Sequence, residues 1–271
     1  MSSIKTYRPV TLIKFGGSVV TDKSLNQHYR QKMVHQLGGE LAEFRRHSAD
    51  AIFIGHGQGS FAHPVVEKNA QHFTARKFFS PQKMAEMLRV VSLLHEHILD
   101  DLIACQLPTV SFRLSQQVIV NSQKEINLNL QLLESLLALE TIPLSTGDIV
   151  VDTEKGNAVL STEKIFLYLI KHLQTSPNFR VKRVVYVTDV EGVLNHDRQL
   201  IPRITAKQTI DQSMFFTESG KSDVTGAMKH KVESAQAVAS LGIPVAILSP
   251  KIEHNFTNYL LEKNWIGTRI E

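Results

Sequence analysis

An α/β fold, a three-layer αβα sandwich around a mostly parallel central sheet, is predicted for this 271-residue sequence by three observations. Short β-prone runs end in glycine turns: Val10–Phe15 ends at Gly16-Gly17-Ser18, and Ala51–Ile54 runs into Gly55 and Gly57. Helical apolar spacing follows these turns. Arg183–Thr188 is a mostly apolar run, as expected of a strand covered on both faces. Strand, glycine turn and helix in repetition give a parallel sheet with helices on both sides.

The elements follow in order. After the first strand, Met33, Val34, Leu37, Leu41 and Phe44 are spaced by three and four, which predicts a helix over 30–47. Gly38-Gly39 weakens it, and nothing local explains the pair. After the second strand, Met84, Met87, Leu88, Val91, Leu94, Ile98 and Leu102 form a long helical stripe, with Cys105 read as its continuation and buried. Pro108 stops this element before a strand at Thr109–Phe112, and the leucine-rich Leu128–Leu139 reads as a helix. Ile142–Leu144 leads into Thr146-Gly147-Asp148. Thr162–Leu173 is a further helix, Met228, Val232, Ala235, Val238 and Leu241 mark another, and Pro244–Leu248 is again a strand. There is no internal repeat, low-complexity segment or clear linker, so 1–271 reads as a single domain of two lobes that change near 145–160.

Composition narrows the function classes. Hydrophobic residues make up 42% and charged residues 21%, ordinary for a globular chain with a core. The net charge of +4 comes without a dense Lys/Arg run, which argues against a nucleic-acid surface and suits a pocket for a phosphorylated small molecule. Cys105 is the sole cysteine, so no internal disulfide forms. No run of about 18 apolar residues occurs, and the amino-terminal stretch lacks a signal-peptide core. A soluble cytoplasmic protein that engages no membrane is the expectation.

The chemistry-bearing motifs sit at strand ends. Lys14-Phe15-Gly16-Gly17-Ser18, followed by Lys23, lets backbone N–H groups approach a phosphate while two lysines supply positive charge. It is neither a P-loop nor a G-x-G-x-x-G pattern, and taken alone it reads equally well as a tight turn with two solvated lysines. Gly55-His56-Gly57-Gln58-Gly59-Ser60-Phe61-Ala62-His63-Pro64 makes a second anion cradle, with His63 placed to donate to a phosphate oxygen or, more simply, standing as a surface histidine. Two cradles on consecutive strands suggest two phosphates facing each other. Asp148, after Gly147, is a candidate partner for the lysines or a metal, or an ordinary turn aspartate. Thr188-Asp189-Val190-Glu191-Gly192 ends the buried strand where open α/β sheets bind ligands. Asp223-Val224-Thr225-Gly226-Ala227-Met228, with Lys231, is read as a small-residue loop opening a helix, suited to a phosphate tail. No Cys/His zinc spacing and no G-x-S-x-G occur.

Taken as a set and in this order, the motifs K-x-G-G-S, glycine cradle, G-D, T-D-x-x-G and D-x-T-G-x-M-x-x-K resemble the amino acid kinase superfamily over nearly the whole chain. Within it, G-x-G-S-F-x-H-P with His63 is similar to the isopentenyl phosphate kinases, and fosfomycin-phosphorylating kinases share a related form. The resemblance implies ATP contacts from Lys14, Gly16, Gly17, Ser18, Gly59, Asp189, Ala227 and Lys231, and transition-state stabilisation by Lys23. It implies an acceptor phosphate held by Gly57, Gln58, His63 and Gly147, with Asp148 organising the lysines. It further implies Mg²⁺ arriving with ATP, no protein-held metal, a homodimer, an acceptor lobe over about 1–150 and an ATP lobe over about 151–271. Ser161-Thr162-Glu163-Lys164 departs from the S-G-D often found there, and Ala62 and Ala227 replace glycines. Two other readings stay open: a kinase for another small phosphate or a phosphonate such as fosfomycin, and a non-catalytic nucleotide or phosphate sensor whose only support is the 161–164 departure.

Overall fold

The computed structural model describes residues 7–61, 79–122, 125–209 and 222–271 (222–227 as backbone only). Its first half comprises β1 (Arg8–Phe15), α1 (Gly17–Val20), β2 (Thr21–Asp22), β3 (His28–Tyr29), α2 (Gln31–His47), β4 (Ala51–His56), α3 (Pro81–Ala104), β5 (Thr109–Ser111), α4 (Leu114–Gln117), β6 (Val118–Asn121), β7 (Glu125–Leu128) and α5 (Leu130–Ala138). The second comprises β8 (Ile142–Thr146), β9 (Asp148–Asp152), β10 (Gly156–Leu160), α6 (Thr162–Leu173), β11 (Phe179–Val187), β12 (Arg203–Ile204), α7 (Ser222–Ala239), β13 (Val245–Leu248), α8 (Asn255–Leu260) and β14 (Thr268–Ile270).

An eight-stranded sheet runs in the order β12-β14-β13-β11-β1-β4-β8-β5. The strands from β13 to β5 are parallel, whereas β14 is antiparallel to β13 and carries β12 with it. Successive residues of β1 point to opposite faces. Val10 and Leu12 enter a core shared with α5, α6 and α7, while Ile13 and Phe15 enter one shared with α2, α3 and α8. This is the predicted three-layer arrangement.

Local signals set several helix ends. Ser80 accepts from Lys83 N at 3.3 Å and Pro81 opens α3, a favourable pair of start signals. Ser161 caps α6 in the same way, accepting from Lys164 N at 3.3 Å, with Glu163 in the first turn and Lys171 and His172 in the last, as the helix dipole favours. The Gly38 puzzle resolves in tertiary packing. A Cβ on Gly38 would stand 2.6 Å from Cys105 Sγ, so α2 and α3 cross closely there; Gly39 faces open space.

Two expectations need correction, and one sheet is added to them. Cys105 does not continue the buried stripe: α3 ends at Ala104, and Cys105 is its half-buried C-cap beside His35. Leu128 closes β7, and the leucine-rich helix covers only Leu130–Ala138. A second sheet, in the order β10-β9-β6-β7, lies in segments to which the sequence assigns no element apart from Leu128, and β9 and β10 form a hairpin across 148–160.

Candidate active site

The parallel strands end in register. Phe15 pairs with both His56 and Val187, His56 with Thr146, and Val187 with Leu248. The loops that follow these residues therefore emerge side by side at one edge, the place where open α/β sheets bind ligands.

The two glycine loops touch through their backbones. A Cβ on Gly17 would stand 2.6 Å from Gly59 N, and one on Gly57 would stand 2.6 Å from Gly17 N. Gly59 adopts φ +48, a conformation that glycine holds without strain. Gly16 N donates to Val187 O at 2.9 Å and Gly57 N to Phe15 O at 2.8 Å. Thr21 fastens the junction: its Oγ1 donates to Gly17 O at 2.7 Å and accepts from Ser60 N at 2.9 Å. Gln58 reaches the next strand end, donating through Nε2 to Thr146 Oγ1 and, at 2.8 Å, to Gly147 O.

Three lysines converge on this edge. Burial and the neighbouring Lys231 ammonium pull the Lys14 pKa down to about 7. Burial pulls Lys231 down to about 8, with Asp189 opposing and Lys23 adding to the shift. Crowded ammonium groups out of water are a standing invitation to a polyanion, whose binding would restore their charge. Lys14 is held by Glu163, with its side chain only 14% exposed. Lys231 donates to Thr188 Oγ1 at 2.6 Å, and Ser18 Oγ donates to Asp189 Oδ1 at 2.9 Å.

Asp148 lies elsewhere. Its carboxylate is fully buried and accepts from Arg113 Nε at 2.9 Å and Nη2 at 2.8 Å, with Ile149 N at 3.0 Å. The ion pair expected of Asp148 is made, for Lys14, by Glu163, from the segment that departs from S-G-D. Neither Glu163 nor Arg113 was singled out by sequence; a carboxylate two residues after a serine N-cap gave the only signal. Ala227 lies within α7, one turn before Lys231, so this segment belongs to the helix rather than to a loop opening it. His63 and Ala62 lie outside the described residues.

Two residues past Gly147, whose carbonyl Gln58 bonds, Ile149 is buried with Met87 in a small apolar cluster with Phe79, Met84 and Leu88, separate from the two main cores. Among the described residues no three His, Cys, Asp or Glu side chains gather as a metal cage, and no helix is long and apolar enough to cross a membrane.

Residues 9–249 match the sequence profile of the Amino acid kinase family. The isopentenyl phosphate kinase of Methanocaldococcus jannaschii is 26% identical over 231 residues, 83% of this chain and 85% of the relative. That of Methanothermobacter thermautotrophicus is 26% identical over 277 aligned positions, 96% of this chain and 98% of the relative. A crystallographic isopentenyl phosphate kinase superposes with a TM-score of 0.76 at 22% identity, covering 97% of this chain and all of the other, a likeness of fold.

Proposed function

This chain belongs to the amino acid kinase family, and from that premise we propose that it transfers the γ-phosphoryl group of ATP to isopentenyl phosphate, giving ADP and isopentenyl diphosphate. The observation that carries the reading is the backbone contact between the Gly16-Gly17 and Gly57–Gly59 loops, which provides adjoining cradles for a donor and an acceptor phosphate. The relatives' shared activity supplies the acceptor's identity. The apolar cluster around Met87 suits a short hydrocarbon tail beside the acceptor cradle better than a polar one.

In this reading an acceptor phosphate oxygen attacks the γ-phosphorus in line, the bond to the β-bridging oxygen breaks, and ADP leaves. The nucleophile is already an anion, so no strong general base is required. Catalysis rests on alignment and on neutralising charge on two phosphates. Lys14, Gly16, Gly17, Ser18, Gly59, Asp189, Ala227 and Lys231 serve ATP, and Lys23 serves the transition state. Gly57, Gln58, Gly147 and His63 serve the acceptor phosphate, and Asp148, through Arg113, stiffens the floor beneath them. Glu163 takes the lysine-organising role. The described side chains build no cage for Mg²⁺, with Glu163 on Lys14 and Asp189 on Ser18. The ion is assigned to the ATP phosphates, whose charge it offsets. The first half of the chain is assigned to the acceptor, the second to ATP, and the protein to a cytoplasmic homodimer.

Purified protein, ATP, Mg²⁺ and a panel of alkyl phosphates with fosfomycin test the reading. Isopentenyl phosphate should have the highest kcat/KM, and His63→Ala should raise the acceptor KM while the ATP KM holds. Absence of ADP formation with every small phosphate and phosphonate would exclude it.

A further inference from the structure

Two imidazoles lie buried beneath the acceptor loop. His56 ends β4 and His95 lies on α3, and both are fully inaccessible. His56 Nδ1 is 3.1 Å from Gly57 O, His56 Nε2 is 3.1 Å from His95 Nδ1, and His95 Nε2 is 2.9 Å from Ser111 Oγ.

The direction of every bond in this chain follows from its end. A carbonyl oxygen only accepts, so the proton lies on His56 Nδ1. In a neutral imidazole the other nitrogen then accepts, so His95 carries its proton on Nδ1 and donates to His56 Nε2. His95 Nε2 accepts in turn from the Ser111 hydroxyl. Neutrality of both rings follows from their burial and from the Arg113 guanidinium nearby, which together hold them below the ordinary histidine range.

The consequence lies at the far side of one peptide group. In a trans peptide the C=O of Gly57 and the N–H of Gln58 point in opposite directions. Fixing the Gly57 oxygen inward against His56 therefore turns the Gln58 N–H outward. The Gln58 nitrogen lies on the Gly17 side of the loop, 3.6 Å from where a Gly17 Cβ would stand. The backbone just before it is equally constrained: His56 O accepts from Thr146 Oγ1 at 3.1 Å and Thr162 Oγ1 at 3.2 Å, and Gly57 N is bonded to Phe15 O. The imidazole bond fixes the remaining polar atom of this turn.

We propose that Ser111, His95 and His56 form a directional hydrogen-bond chain that aims the Gln58 N–H at the acceptor phosphate. His56 and His95 are positioning residues, acting through the peptide and not on the substrate. The proposal rests on the acceptor-site reading above.

Its test has two arms. In the free, ¹⁵N-labelled wild-type protein at neutral pH, NMR should find both rings neutral and protonated on Nδ1, and the Gln58 amide cross-peak should move when inorganic phosphate is added. In steady-state kinetics His56→Leu should raise the acceptor KM roughly three- to tenfold, the size of one lost hydrogen bond, with the ATP KM within about twofold. His56→Asn places an N–H where the ring Nδ1 stood and should recover most of the loss. His56→Gln, whose amide lies one bond farther out, should not, and His95→Leu should show a smaller rise of the same kind. A proton on His56 Nε2, a Gln58 amide indifferent to phosphate, equal rises in both KM values, or Asn no better than Gln would each overturn it. Should the leucine variants not fold, the wild-type spectra decide. Should wild-type protein phosphorylate no acceptor, the kinase reading fails by itself, and the ring protonation and the Gln58 response still judge the chain.

Discussion

The ammonium of Lys14, at the end of the central strand, rests against the carboxylate of Glu163, in the first turn of α6. The two are 149 positions apart in sequence, and their contact joins the strand that carries the first glycine loop to the helix behind it.

Glu163→Ala should therefore leave Lys14 without a fixed direction. We expect kcat to fall about 10- to 100-fold, as for a misplaced catalytic group, with Glu163→Asp intermediate because its shorter arm starts from the same turn. Single-turnover measurement separates this from slowed product release. An unchanged kcat in Glu163→Ala would remove Glu163 from the machinery.

The lysine cluster predicts a pH dependence. Lys14 and Lys231 sit at about 7 and about 8, well below the ordinary lysine range, so their neutral forms populate as pH rises through that range. In the proposed function the charged forms are the ones that bind the triphosphate. Thus kcat/KM for ATP, which reports the free enzyme, should decline above about pH 7, while kcat should hold to higher pH because bound phosphates favour the ammonium forms. Profiles of both parameters from pH 6 to 10 check this, and a kcat/KM flat to pH 10 would contradict it.

Arg113 and Asp148 form a buried pair. Arg113→Ala leaves a carboxylate uncompensated in the interior and should cost about 3–5 kcal/mol, read from urea unfolding. Asp148→Asn should be costly in stability too, yet change the ATP KM little in whatever fraction stays folded, because the carboxylate faces Arg113 and not the lysines.

Gly38 and Gly39 should behave as opposites. Gly39→Ala meets nothing within 4 Å and should stabilise by about 0.5–1 kcal/mol, the usual helix-interior gain. Gly38→Ala drives a methyl into Cys105 Sγ and should destabilise, and Cys105→Ala should relieve part of that loss. Thermal melts of the two single variants and the Gly38→Ala/Cys105→Ala pair suffice.

What could be read from sequence was what is local. The two glycine loops stand within a few residues of the strands that aim them, so their placement at neighbouring strand ends was legible. Glu163 was not, because its partner is supplied by the fold and a glutamate after a serine reads first as helix capping. Asp148 was found but assigned the wrong partner for the same reason: Arg113, on the loop after β5, carries no motif. The second sheet was missed because its strands span only four or five residues, and one abuts a leucine-rich helix. Cys105 continued the apolar spacing of α3 past the point where the helix stops, since periodicity does not register a cap.

The central position of β1 has a consequence for how the chain is made. Its register sets Arg8 against Phe179 and Phe15 against Val187, whereas its other neighbour, β4, follows soon after it in sequence. A nascent chain can pair β1 with β4 early but must wait for most of the protein before the other edge is covered. Until then an apolar strand carrying the first glycine loop presents unpaired N–H and C=O groups, the exposure that slows non-local folding and invites aggregation. The two halves thus cannot be expressed apart: any cut between β4 and β11 strips β1 of one partner and leaves the Gly16-Gly17 loop without its frame.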